Sequence, residues 1–205
     1  MRNELLALFG SGCLLTGCQA PLAQAQTSLP SRPVIAKAPD DPGAGTTLCA
    51  PDDGVLISCR LQDSAQIASI CVASVEDGEP RKVRFVQGVP GATPVLQHVA
   101  DGSDSVQMFR RTHLFRAGPT GGHVYTFEHG GFRYGFYTEE GTYHALAGLF
   151  HAQPASPKVI RHQLCDMETV VISYDRGLMD LTRTWPKDPL IEEYDVPLVD
   201  DKGGR

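Results

Sequence analysis

From Val55 onward the chain alternates short apolar runs with turn-forming residues at intervals of eight to twelve positions. Val55-Leu56-Ile57-Ser58-Cys59 and Ile67-Ala68-Ser69-Ile70-Cys71-Val72 predict two strands joined through Gln62-Asp63-Ser64. Val83-Arg84-Phe85-Val86 follows the turn signal Asp77-Gly78, and runs over 95–99 and 106–115 flank Asp101-Gly102-Ser103-Asp104. Val124-Tyr125-Thr126-Phe127 and Phe132-Arg133-Tyr134-Gly135-Phe136 predict the clearest hairpin, turning at His129-Gly130-Gly131. Runs over 143–150 and 159–165 complete the series. Phe132, Tyr134 and Phe136 alternate with Arg133, Gly135 and Tyr137, the period of two of a strand with one buried face. The pattern predicts an all-β fold, an antiparallel β-sandwich or barrel of about eight to nine strands. One short late helix is expected over 175–181, where Leu178 and Leu181 share a face.

The chain ends read differently. Leu5-Leu6-Ala7-Leu8-Phe9 continuing to Leu14-Leu15 is shorter than the ~20 apolar residues of a membrane span and suits a signal-peptide core. Leu15-Thr16-Gly17-Cys18 then resembles a bacterial lipobox, which implies cleavage before Cys18 and a lipid on its sulfur. Gln19 after the cysteine implies, by the same resemblance, sorting to the outer membrane facing the periplasm. The expected organisation is a lipoprotein signal peptide over 1–17 and a Pro/Ala/Gln-rich lipid-anchored tether over 18–45, followed by a β domain over 46–185 and an acidic, Pro-containing tail over 186–205. A strand around Val34-Ile35 is the one competing feature of the tether. The tail is expected to lie on the surface or without order.

Composition narrows the function classes. Eighteen basic residues against twenty-four acidic ones, a net charge of −6 with the Lys and Arg scattered, leave no electrostatic footprint for nucleic acid. With 21 Gly and 15 Pro the chain is too rich in turn formers for a helical bundle.

Beyond Cys13 and Cys18, the domain keeps Cys49, Cys59, Cys71 and Cys165, an even number that reads as two disulfides in an exported protein. Of three pairings, Cys49–Cys59 with Cys71–Cys165 is favoured, because it closes one short local loop and ties an early strand to a late one. No C-x-x-C pair exists, which separates the set from a zinc ribbon.

The remaining chemistry points away from catalysis. The seven histidines (His98, His113, His123, His129, His144, His151, His162) include no pair at the helical spacing of a zincin, and His113, His123 and His129 converge only if three strands bring them together. There is no G-x-S-x-G elbow, no S-x-x-K and no phosphate loop entering a helix. Glu139-Glu140 and Asp52-Asp53 are adjacent carboxylates that a strand would send to opposite faces. No enzyme activity and no cofactor are expected. Aromatics interleaved with Arg (Arg110, Arg111, Phe115, Arg116, Arg133, Tyr137) suit a protein-binding patch. Arg116, His129, Arg133 and Tyr137 are the candidate partner-binding residues.

Leu56-Ile57-Ser58-Cys59-Arg60-Leu61 followed by Ile67-Ala68-Ser69-Ile70-Cys71 resembles the opening of a family of exported bacterial proteins of unknown function, with a Cys…Ser-Cys-x-Leu…Cys pattern. Phe127-Glu128-His129-Gly130-Gly131-Phe132-Arg133-Tyr134, Ala147-Gly148-Leu149 and Leu164-Cys165 continue the match in order, with a departure over 84–88. The resemblance implies a disulfide-bonded β domain and supplies no catalytic residue. The overall plan is similar to that of periplasmic lysozyme inhibitors. The expected function is therefore that of a non-enzymatic envelope lipoprotein, anchored through Cys18, that binds a protein partner as an inhibitor or immunity-type protein against a lysozyme or secreted toxin. A structural envelope lipoprotein and a metal-dependent hydrolase are the alternatives.

Overall fold

The computed structural model describes residues 36–37, 46–73, 82–100, 108–115 and 118–196. All belong to the compact unit Arg32–Arg205. The lipobox, Cys18 and most of the expected tether lie outside them, as do Arg116 and the tail beyond residue 196.

Nine strands have five or more residues. They are β2 (Gly54–Arg60), β3 (Ile67–Val72), β4 (Val83–Gly88), β5 (Leu96–Ala100), β6 (Phe109–Phe115), β7 (Gly121–His129), β8 (Phe132–Glu140), β9 (Ala145–Ala152) and β10 (Val159–Leu164). Two short strands, β1 (Ala36–Lys37) and β11 (Val171–Ile172), pair in parallel at one edge. The chain expected as tether thus contributes two residues to a sheet. The order is β1-β11-β2-β3-β4-β5 in one sheet and β10-β9-β8-β7-β6 in the other, and every pairing except β1 with β11 is antiparallel. Gly130 and Gly131, at φ 59° and 81°, close the β7–β8 hairpin in the left-handed conformations that a two-residue turn demands.

The sheets face one another across a core to which Ile57, Ile70 and Phe85 contribute from the first and Phe109, Phe127, Phe136 and Leu149 from the second. Phe85 and Phe127 meet across it with ring centroids 4.9 Å apart. The structure is a two-sheet β-sandwich with two disulfides.

The cysteines pair differently from expectation, as Cys49–Cys71 and Cys59–Cys165. Side-chain alternation explains why. Cys59 stands opposite Ala68 on the inward face, among the core residues, whereas Cys71 stands opposite Val55 in the set that includes Ser58 and Ser69 and points outward. The segment carrying Cys49 lies over that outer face, with the Leu48 amide donating to Ser69 Oγ. Cys165 reaches the inner side because Leu61 and Cys165 form an antiparallel bridge just beyond β2. A bond between Cys49 and Cys59 would have to cross the sheet.

The late helix forms as α1 (Arg176–Arg183), capped by Asp175 accepting from the Leu178 amide, with Leu178 buried. The first part of the expected tail, 186–196, also folds. A second helix, α2 (Pro189–Tyr194), begins with Asp188 accepting from the Leu190 and Ile191 amides and with Pro at its first position. It covers the outer face of the β6–β10 sheet, where Leu114, Val124, Tyr137, Phe150, Ile191 and Val196 make a second apolar cluster. The middle of that sheet is therefore buried on both faces.

Candidate functional site

Covering the outer face moves two expected surface residues inside. Arg133 is 3% exposed and its guanidinium lies 3.1 Å from both Asp188 carboxylate oxygens, with a further bond to the Ser156 carbonyl. Asp188 also accepts from Thr126 Oγ1 at 2.7 Å. Tyr137 is fully buried, its hydroxyl 2.8 Å from His162 Nε2, and burial followed by the nearby Glu139 pushes the phenol pKa up. Tyr137 is thus enclosed within the domain, while Arg133 shows only at the wall of a cleft described below. His129 is half-buried and points to the opposite, inner face of the sheet, so His129, Arg133 and Tyr137 do not form one surface.

At the end of the sheet remote from the β7–β8 turn the two layers part. The inner-face rows Phe109/Phe127/Tyr134 and Arg111/Tyr125/Phe136 give way to His113/His123/Thr138 and then to Phe115/Gly121/Glu140. Positions that would otherwise carry core hydrophobes are polar, and the space above them is a cleft of about 330 Å³. Its opposite wall is Ile57, Ile172, Ser173, Tyr174 and Met179, from β2, β11 and α1.

His113 and His123 face each other across the β6–β7 pairing with ring centroids 4.7 Å apart, and Phe115 packs on His113 at 4.1 Å. Burial, then Arg111 and then His113, holds the His123 pKa down to about 3, while burial and Arg111 lower that of His113. Both rings are thus neutral at neutral pH, which gives the cleft hydrogen-bonding imidazoles without cationic charge. Tyr125 closes the floor, hydrogen-bonded to Arg111 and to Thr182 of α1.

Exposed aromatic side chains stand at this end of the sheet, of which Tyr174 lines the cleft itself. Phe115 at the end of β6 is 85% exposed and Tyr143 in the β8–β9 turn is 87% exposed, with Tyr174 more than half exposed on the opposite wall. The β6–β7 loop and the β8–β9 turn touch: a Cβ on Gly141 would come within 2.7 Å of both Thr120 Oγ1 and His144. Phe115 stood among the residues suggested by sequence. Tyr143 and Tyr174 did not, because single aromatics in turns carry no periodic signal. The histidine pair was readable, since His113 and His123 are equidistant from the centre of the 116–120 connection.

A second cleft, of about 340 Å³, opens at the other end of β7 beside His98, Met108, Glu128 and the Arg133–Asp188 pair. His98 stacks on Phe127 at 4.8 Å, and its Nδ1 lies 3.4 Å from Nδ1 of His129. Burial, then His129, lowers its pKa to about 4. Among the described residues no three His, Cys, Asp or Glu side chains converge as metal ligands. Set against protein-family models, curated proteins and solved structures, this disulfide-bonded, mostly β chain has no match.

Proposed function

We propose that the protein is a binding module without enzymatic activity, held in the cell envelope by a lipid on Cys18, whose partner is a protein. The observation that carries this reading is the pair of almost fully exposed aromatic side chains, Phe115 at the end of β6 and Tyr143 in the β8–β9 turn, at the end of the sheet where the strands β6–β9 carry the His113/His123 pair. Large aromatics supply much of the energy of protein interfaces, and a rigid scaffold spares the cost of ordering them on binding. Disulfides on both faces of one sheet support such a scaffold. The likeness of plan to periplasmic lysozyme inhibitors favours a lysozyme or a secreted toxin as the partner.

The test is affinity capture with the oxidised chain against an envelope extract and a panel of lysozymes, alongside the Phe115→Ala/Tyr143→Ala variant. One stoichiometric partner, retained at high salt and lost with the double variant, is expected. Equal capture by both proteins, or no partner for the folded parent, overturns the proposal.

A further inference from the structure

We infer that the cleft between the sheets at the His113/His123 end binds an uncharged sugar, a single pyranose ring or a disaccharide. Its floor is a polar row that crosses three strands. His123 of β7 stands opposite His113 of β6 and opposite Thr138 of β8, and all three line the cleft. Strand spacing sets these groups about 4.8 Å apart. Gly121 follows on the same face, so β7 puts no side chain on the floor beyond His123.

The fold builds this row and does not use it. Thr138 is 8% exposed, yet its hydroxyl makes no hydrogen bond among the described residues, and neither do the ring nitrogens of His113 and His123. A buried polar group left unpaired costs about 1–3 kcal/mol. The bonds therefore have to come from the cleft, from water or from a ligand that replaces it.

Charge and polarity narrow the ligand. No Lys or Arg lines the cleft, and the carboxylate of Glu140 does, which disfavours an anion. Arg111, hydrogen-bonded to Tyr125 of the floor, disfavours a cation. A hydrocarbon would leave the polar row unpaired. What fits is an uncharged molecule whose groups both donate and accept, as hydroxyls do and as neutral imidazole and threonine do. The facing wall is of another kind, with Ile57, Ile172 and Met179. A pyranose divides in the same way, hydroxyls around its edge and C–H groups on its face. One sheet can hydrogen-bond it while the other covers it. The volume of about 330 Å³ lies at the small end of ligand sites, which sets the size at one ring or two.

The experiment uses the oxidised full chain with Cys13→Ser and Cys18→Ser, isotope-labelled for amide resonances. It is titrated with the methyl glycosides of glucose, galactose, mannose and N-acetylglucosamine and with disaccharides of each. Methyl glucuronide and methyl glucosaminide serve as the anionic and cationic counterparts. At least one uncharged glycoside is expected to bind with a Kd of about 1 mM or tighter, shifting the amides of His113, His123, Thr138 and Ser173. Both charged counterparts should bind about tenfold more weakly or worse. Thr138→Val and His113→Phe keep the shape of the floor and remove its hydrogen bonds. Each should weaken binding about three- to tenfold and leave the circular dichroism unchanged. The assignment is overturned if no uncharged glycoside binds, if a charged counterpart binds as tightly, if the shifts lie elsewhere, or if both variants bind as the parent does. Neither Phe115 nor Tyr143 lines the cleft, and protein capture through them is scored separately, so either reading can fail alone.

Discussion

At the scale of single residues, Asp188 concentrates more of the architecture than any other side chain described. It neutralises Arg133, accepts from Thr126 and caps α2, all within a buried environment. Removing one partner of a buried pair strands the other charge, so Asp188→Ala should cost about 3–5 kcal/mol. Equilibrium urea unfolding checks this, and a loss under about 1 kcal/mol would mean that Arg133 finds water. Titration offers a second residue-level test. The folded pKa of His123 lies below its ordinary 6.5, so the unfolded chain binds the proton first as the solution becomes acidic. Its contribution is complete above pH 6.5 and declines as pH falls from 6.5 toward 3. With solvent screening of a partly exposed ring the loss is on the order of 2 kcal/mol. His123→Gln should flatten the dependence of the urea midpoint on pH between 7.5 and 4.5, and an unchanged slope would show that the ring titrates normally.

Elements were legible where one sheet face decided them. Each of the nine longer strands coincides with an apolar run flanked by turn residues, and α1 begins at the Asp175 cap within the expected segment. What alternation could not disclose is what lies on the other face. Arg133, Gly135 and Tyr137 alternate with Phe132, Tyr134 and Phe136 and read as the solvent side, yet Phe132 is the more exposed and Arg133 and Tyr137 are buried. The cause is the 186–196 segment, whose short helix is too brief and too proline-rich to announce itself by periodicity. The cleft was only partly readable for a related reason: its polar floor belongs to hairpin register, which brings His113 opposite His123. Two predictions belong to this scale. A chain ending after Trp185 uncovers Leu114, Val124 and Phe150, and should bind a hydrophobic dye such as anilinonaphthalene sulfonate and unfold at lower urea. In β8, a Cβ on Gly135 would fall 2.2 Å from the Phe150 ring, so Gly135→Ala should destabilise by about 1–3 kcal/mol through overpacking, measured by thermal unfolding.

For the whole molecule, stability divides between the core and the cross-links. The Cys59–Cys165 bond spans 106 residues and Cys49–Cys71 spans 22. Chain-entropy arguments give about 5 and about 3 kcal/mol respectively. Replacing each pair by Ala should therefore lower the urea unfolding free energy more for the long loop than for the short one, and the reverse order would place the larger effect in native contacts.

The interleaved order of these bonds also sets a sequence of events for oxidation. In a chain that meets its oxidant from the amino end, Cys59 is the next cysteine to follow Cys49, and a bond between those two is not one of the pair that forms. The correct mate of Cys49 comes twelve residues later, and the mate of Cys59 only near the close of the sandwich. A chain that stops short of Cys165 therefore leaves the Cys59 thiol without its mate, a chemical mark of incompleteness that disappears once β10 is followed by Cys165.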